Sequence, residues 1–161
     1  MFKRDPLDDP EPLLRRVHAY VVYRIGSGAD AEDVTGEAFA RAVRYRDSYD
    51  SSKGAPLGWL IGIAGRCVDD ALAKRRTTDD EVDSEASGDL EQETIDRLTL
   101  DAAVLRLPLR DRELIALRYG ADLSARDIAA QMELTTNAVE VAIHRALGRL
   151  RAVLEASAKP L

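Results

Sequence analysis

Apolar residues recur every three to four positions through most of the chain, and the strict alternation expected of strands is nearly absent. Leu13, Val17, Tyr20, Val21 and Arg24 mark one face of a first helix. In a second, Val34, Ala38, Ala42 and Tyr45 fall on one stripe, and Asp30 stands where it could cap the first turn. The stretch "RDSYDSSKGAP" then breaks the period and reads as a polar loop. A third helical region is predicted over about 57–76. Leu60, Ala64, Cys67 and Ala71 line one of its faces, with Ile61, Val68 and Leu72 beside them. Gly58, Gly62 and Gly65 read as points of close helix packing, and the closing "KRR" suits a helix C-terminus electrostatically. Further helices are predicted at about 94–105, 110–119, 124–132 and 136–156, with Pro108 between the first two. Residues 77–93 carry many carboxylates and few large apolar groups; such a segment buries too little surface to offset its chain entropy. The pattern therefore predicts an all-α protein, with two small helical domains at about 10–76 and 94–157 joined by a flexible acidic linker, 77–93.

Charge sharpens this division. The 161 residues carry a net charge of -6, which by itself argues against a general nucleic-acid binder. The deficit is local, however: residues 77–101 contribute -9, residues 1–76 contribute +1 and residues 102–161 contribute +2. The one cysteine, Cys67, lies in an apolar run, so no disulfide forms within the chain, as suits a reducing compartment. The opening "MFKRDPLDDPEP" has no apolar core, and the run "LGWLIGIAG" is too short to span a bilayer. These features predict a cytoplasmic protein with no membrane insertion.

The segment "SARDIAAQMELT" followed by "TNAVEVAIHRALGRLR" has the spacing of a helix-turn-helix. Ile128, Ala129, Met132, Leu134, Val139 and Ala142 supply the apolar or small groups such a pair needs. Val139, Ile143, Ala146, Leu150 and Leu154 continue as a core stripe. The second helix of the motif would enter the major groove, with Thr135, Thr136, Asn137, Glu140, Val141, His144 and Arg145 as candidate contacts. Taken alone, the segment also fits an ordinary helical hairpin. Glu133 falls in the turn, where a left-handed backbone would cost a non-glycine residue roughly 1 kcal/mol. The reading turns hold Glu140, Val141 and Ala142, so positive charge must come from the flanking Arg126, Arg145 and Arg149. A Glu accepts a hydrogen bond from the exocyclic amine of cytosine and a Val contacts the thymine methyl; both carry sequence information but no phosphate affinity.

"LPLRDRELIALRY" (107–119), together with that helix pair, resembles region 4 of bacterial sigma factors. "DAEDVTGEAFARAVR" (30–44) and "GWLIGIAGRCVDDALAKRR" (58–76) resemble region 2 of the same family. Two short domains with no third between them match the extracytoplasmic-function type, and the likeness covers nearly the whole chain in the family's order.

The resemblance implies partners and sites. The exposed face of Asp30, Asp33, Glu37 and Arg41 would dock on the basic clamp helices of core RNA polymerase, although Gly36 stands where the family commonly has Gln. The loop 47–56 would capture a base flipped out of the minus-ten element of promoter DNA, with Tyr49, Ser51, Ser52 and Lys53 as pocket and phosphate groups. Arg66 stands where many relatives have Asn, and Lys74, Arg75 and Arg76 form a cluster suited to phosphates. Trp59 matches the family's tryptophan and is read here as a core aromatic. Region 4 would read the minus-thirty-five element, the linker would either thread polymerase channels or serve as a solubilising spacer, and an anti-sigma factor would hold the protein inactive. No nucleophile constellation, metal-ligand spacing or Gly-rich phosphate loop points to catalysis or to a cofactor, and His18, His144 and Cys67 have non-catalytic readings. Two alternatives stay open at this level. One is a sigma-like protein that works through protein contacts with weak or lost promoter reading. The other is a helix-turn-helix regulator that binds duplex DNA without polymerase.

Overall fold

The structure is a computed structural model that describes residues 5–78 and 100–158. The predicted linker lies largely outside the described residues, as do residues 94–99. Among the described residues every regular element is helical. In chain order they are α1 (Pro10–Ile25), α2 (Ala29–Arg44), single 3-10 turns at Arg46–Ser48 and Ser51–Lys53, and α3 (Pro56–Thr78). Residues 100–105 form α4, followed by α5 (Leu109–Ile115), a π-helical turn (Ala116–Gly120), α6 (Ala125–Met132) and α7 (Thr136–Ala158).

Local chemistry explains the boundaries. Proline in the first turn of α1 lacks only a donor that would have no intrahelical partner there. The helix ends at Gly26, whose φ of 92° suits a residue without Cβ. Gly28, at φ 123°, turns the chain so that α2 starts at Ala29. Asp30 is therefore in the first turn and not the cap; its carboxylate lies 2.9 Å from the Arg75 side chain. The second helix stops at Arg44, which takes Tyr45 off the stripe predicted for it: Val34, Ala38 and Ala42 are buried while Tyr45 is half exposed. Of the three glycines of α3, Gly65 lies against the Tyr20 hydroxyl and Gly58 against Gln131, whereas Gly62 has no close neighbour and is not a packing point.

The two predicted halves pack on one another. Val17, Tyr20 and Val21 of α1, Ala38 of α2, and Leu60, Ala64 and Val68 of α3 share one core with Leu114, Leu117, Ala121, Ile128 and Val139. A smaller core of Ala103, Val104, Leu107, Ile115, Ala146 and Leu150 joins α4, α5 and α7. The contact between halves is closest where the π-turn meets α1. A Cβ on Gly120 would stand 2.8 Å from both the Cα and N of Tyr20, so only glycine fits. The turn widens the predicted helix 110–119 by one residue, with the Ala121 N–H returning to the Ala116 carbonyl at 2.9 Å. Polar contacts flank it. Arg112 donates to the Arg24 carbonyl at the end of α1 (3.3 Å), and Gln131 donates to the Gly58 carbonyl (2.6 Å). Arg24 itself is buried; it donates to the Tyr20 hydroxyl at 2.8 Å and pairs with Asp69 at 3.1 Å. Burial pushes the Tyr20 phenol above its ordinary pKa, against the pull of Arg24.

The crossing at Gly120 and the turn at Glu133 each make a stability prediction. Gly120→Val drives a branched side chain into the α1 backbone and is expected to cost about 1–3 kcal/mol, as overpacking does. Scanning calorimetry should show the melt drop and split as the halves part; an unchanged melt would mean that these backbones do not touch. Glu133 has φ 57° and ψ 43°, the left-handed geometry expected from its place in the turn. Glu133→Gly relieves about 1 kcal/mol of strain and should raise the melting temperature by about 2–4 °C in a chain of this size. A fall in the melt would show that glycine's chain entropy outweighs that strain.

Candidate functional site

The residues singled out above lie on α6 and one face of α7 in the C-terminal half and, in the N-terminal half, on the outer face of α2, on α3 and in the loop between them. In the C-terminal half, the Ser124 hydroxyl accepts the Asp127 N–H at 3.1 Å and caps α6. The αL residue Glu133 ends that helix, and the Leu134 N–H returns to the Ala129 carbonyl at 2.9 Å. The Thr135 hydroxyl then accepts the Ala138 N–H at 3.1 Å and caps α7, so this candidate contact also has a structural duty. With Ile128, Ala129, Val139 and Ile143 buried, the first turns of α7 present Thr136, Asn137, Glu140, Val141, His144 and Arg145 to solvent. Arg126 is exposed on α6. Arg149 is committed elsewhere: its Nη1 lies 3.0 and 2.9 Å from the two carboxylate oxygens of buried Asp111. That pair ties α7 to α5 and neutralises one of the three flanking charges expected to meet phosphates. The exposed face of α7 is thus less positive than its sequence suggests.

In the N-terminal half, α2 presents its acidic face to solvent. Asp33 and Glu37 are exposed, as is Glu32, which sequence reasoning passed over although it lies one turn before Gly36. Arg41 binds Glu37 at 3.0 Å and Asp70 at 3.1 Å, so it serves to fix α2 on α3 rather than to offer a free charge. The pair Asp30–Arg75 makes a second clamp between the same helices, and Arg75 also reaches the Ile25 carbonyl at 3.4 Å. Lys74 and Arg76 flank it, both exposed.

The loop after α2 is built around Tyr49. This residue is buried, its hydroxyl donates to the Gly54 carbonyl at 2.7 Å, and its ring lies 5.5 Å from that of Trp59 at 59°. Tyr49 therefore shapes the loop from inside, and Trp59 beside it is half buried and lines the cleft that the loop borders. Asp50 accepts from both the N–H and the hydroxyl of Ser52, at 3.0 and 2.7 Å, and this closes the second 3-10 turn. Ser51, Ser52 and Lys53 are exposed. The loop borders a cleft of about 570 Å³ that it shares with the C-terminal half, whose Asp122, Asp127 and Gln131 line the opposite side. Arg66 is not in this cleft. It lies across α3, beside a cavity of about 450 Å³ with Glu37, Arg41, Arg44, Tyr45 and Ile63. Arg44 lines this cavity too, as does Tyr45, which the helical period alone places on the buried stripe of α2.

Burial pushes the Cys67 thiol up in pKa and so keeps it protonated at neutral pH. Among the described residues no cluster of His, Cys, Asp and Glu has metal-binding geometry, and no helix is long and apolar enough to cross a membrane.

Comparison with known proteins agrees with this layout. The model of sigma-70 region 2 matches residues 11–78, and that of sigma-70 region 4 matches residues 97–150. The ECF RNA polymerase sigma factor BldN of Streptomyces coelicolor is 31% identical over 89% of this chain, which spans 58% of that protein. The ECF RNA polymerase sigma factor SigD of Mycobacterium tuberculosis is 33% identical over 92% of this chain and 74% of its own length. In fold, the chain is similar to the sigma factor RpoE of Bartonella quintana, solved with the anti-sigma factor NepR, at a TM-score of 0.73 and 21% identity. That likeness covers 89% of this chain and 92% of the other. With both regions present in order and the helix-turn-helix formed, the chain belongs to the sigma-70 family, among its extracytoplasmic-function sigma factors.

Proposed function

We propose that this protein is a promoter-recognition subunit. It binds core RNA polymerase through the acidic face of α2, reads a minus-ten element with the loop after α2, and reads a minus-thirty-five element with α7. The observation that carries this reading is the presence of both sigma regions on one chain, each with its charged or polar face turned to solvent. The chain has no catalytic role in this scheme; it delivers polymerase to a start site. A reversible inhibitor fits the same reading, since the RpoE and CnrH neighbours were solved with the anti-sigma factor NepR and the cytosolic domain of CnrY. Co-purification of a stoichiometric inhibitor from the native source supports that partner, and full activity of the lone factor in unstressed cells opposes it.

The deciding experiment is transcription from a promoter library by core polymerase with and without this protein. New start sites support the proposal. Polymerase binding without new starts favours a factor that works through protein contacts, which the low positive charge on α7 makes the specific rival.

Two sets of variants test the two faces separately. Asp33→Lys with Glu37→Lys places like charge against a basic partner. Each exposed pair contributes only about 0–1 kcal/mol, but the double reversal also adds repulsion. Affinity for core polymerase should fall about tenfold or more while the melting temperature changes little, and wild-type affinity would rule out this docking face. On the other face, Glu140 is the exposed carboxylate of the reading turns. Glu140→Ala should relax the preference for cytosine at one upstream position, a discrimination of about 1–3 kcal/mol. Glu140→Lys should raise non-specific duplex binding and change the preferred base. A library selection in holoenzyme reads both effects, and an unchanged upstream preference in both variants would show that Glu140 does not read DNA.

A further inference from the structure

Asp111 is the one buried carboxylate among the described residues. It lies in the first turn of α5, and the Arg149 Nη1 of α7 bridges both of its oxygens, at 3.0 and 2.9 Å. The two side chains are unequally covered: Asp111 is 8% exposed and Arg149 53%. The carboxylate is thus anchored inside the C-terminal half, and the guanidinium reaches it from the surface. Packing of α7 on α5 does not hang on this pair alone, because Ile115, Ala146 and Leu150 share a core there.

The place of Arg149 on α7 gives the pair a bearing on DNA. It follows Arg145 by four residues, so the two project to the same side of the helix, and Arg145 is exposed beside Val141 and His144. A duplex seated on the first turns of α7 carries its phosphates past the flanks of the helix, within reach of a released Arg149. Two interactions then compete for one guanidinium. A phosphate would meet it at a solvent-exposed position, where salt screens the attraction. Leaving Asp111 would strip the donor from both oxygens of a buried carboxylate, which is the costlier change. Arg149 therefore stays on Asp111.

We propose that Asp111 is a positioning residue for promoter recognition: it keeps Arg149 on α5 while α7 is on DNA, and so withholds one phosphate contact from every duplex. The proposal rests on the reading of α7 given above. Phosphate contacts carry the affinity common to all sequences, whereas base contacts carry the preference. One withheld contact lowers the affinity of the free chain for any duplex about eightfold at 0.1 M salt, relative to 1 M. It leaves the base contacts of α7 in place. The free chain is thereby kept from dispersing over duplex DNA, and engagement of a promoter depends on tethering by polymerase.

The test is fluorescence anisotropy of the full chain with a labelled, mixed-sequence DNA duplex, measured across salt concentrations. Asp111→Leu removes the carboxylate and frees Arg149; Asp111→Leu with Arg149→Met removes both partners and replaces them with apolar side chains, a change that buried pairs tolerate. The single variant should bind about eightfold more tightly than wild type at 0.1 M salt, and its slope of log affinity against log salt should be steeper by about 0.9, one duplex phosphate contact. The double variant should return to the wild-type slope. Arg149→Lys still places one nitrogen on the two oxygens and should also keep that slope. Thermal melts accompany each variant, and Asp111→Asn takes the place of Asp111→Leu if the latter melts early. A pair with a purely structural role would leave the slopes of wild type and of the single and double variants equal, and that result overturns the proposal. So does a double variant with a slope shallower than wild type by about 0.9, since Arg149 would then touch phosphate while paired. A promoter-library selection in holoenzyme separates this proposal from the reading beneath it. Equal slopes together with a clear upstream base preference sink the proposal alone, whereas a wild-type holoenzyme without upstream preference sinks the reading of α7 as well.

Discussion

Where the π-turn crosses α1, two backbones come within van der Waals contact because Gly120 has no Cβ to hold them apart. This approach sets the position of the C-terminal half on the N-terminal half. Leu117 and Ala121 on either side of Gly120 enter the core that Val17, Tyr20 and Val21 begin, so the apolar faces of α1 and of the π-turn cover each other. Arg112 then reaches the carbonyl end of α1, where the helix dipole favours a cation, although burial and the nearby Arg24 and Arg75 lower its pKa. The π-turn is an uncommon backbone form, and here it places a glycine and two apolar side chains against the neighbouring helix.

The same docking shapes the surroundings of the loop after α2. Gln131 bonds the carbonyl of Gly58 at the start of α3, and Asp122 and Asp127 stand across the cleft from Lys53. The cleft thus holds cations and carboxylates together: Arg16, Asp50 and Lys53 from the N-terminal half, Asp122 and Asp127 from the C-terminal half. The cavity around Tyr45 has no such neighbour from the C-terminal half.

Internal ion pairs consume much of the charge that the sequence displays. Arg41, Arg75 and Arg149 each bind a carboxylate on another helix and thereby fix α2 on α3 and α7 on α5. Most of these pairs are exposed and contribute little stability singly. The Arg149–Asp111 pair differs, because Asp111 is buried and both of its carboxylate oxygens lose a donor if Arg149 is removed. The net effect is subtraction: with Arg149 paired, the exposed arginines left on α7 and the adjoining α6 are Arg126, Arg145 and Arg151.

Local periodicity determined a great deal by itself. The helical stripes of α1, α3 and α7 and the left-handed turn at Glu133 are set by residues within one or two turns of each other, which is the range over which spacing carries information. The family motifs are equally local, and so the two regions were legible. What the sequence could not settle involves residues far apart in the chain. That Arg41, Arg75 and Arg149 are paired depends on partners on other helices. That Tyr49 turns inward and Tyr45 outward depends on where α2 stops and on Trp59, well beyond Tyr49 in the chain. That the halves share a core depends on Gly120 meeting the backbone of Tyr20, a contact with no periodic signature, which only the packed tertiary structure could decide.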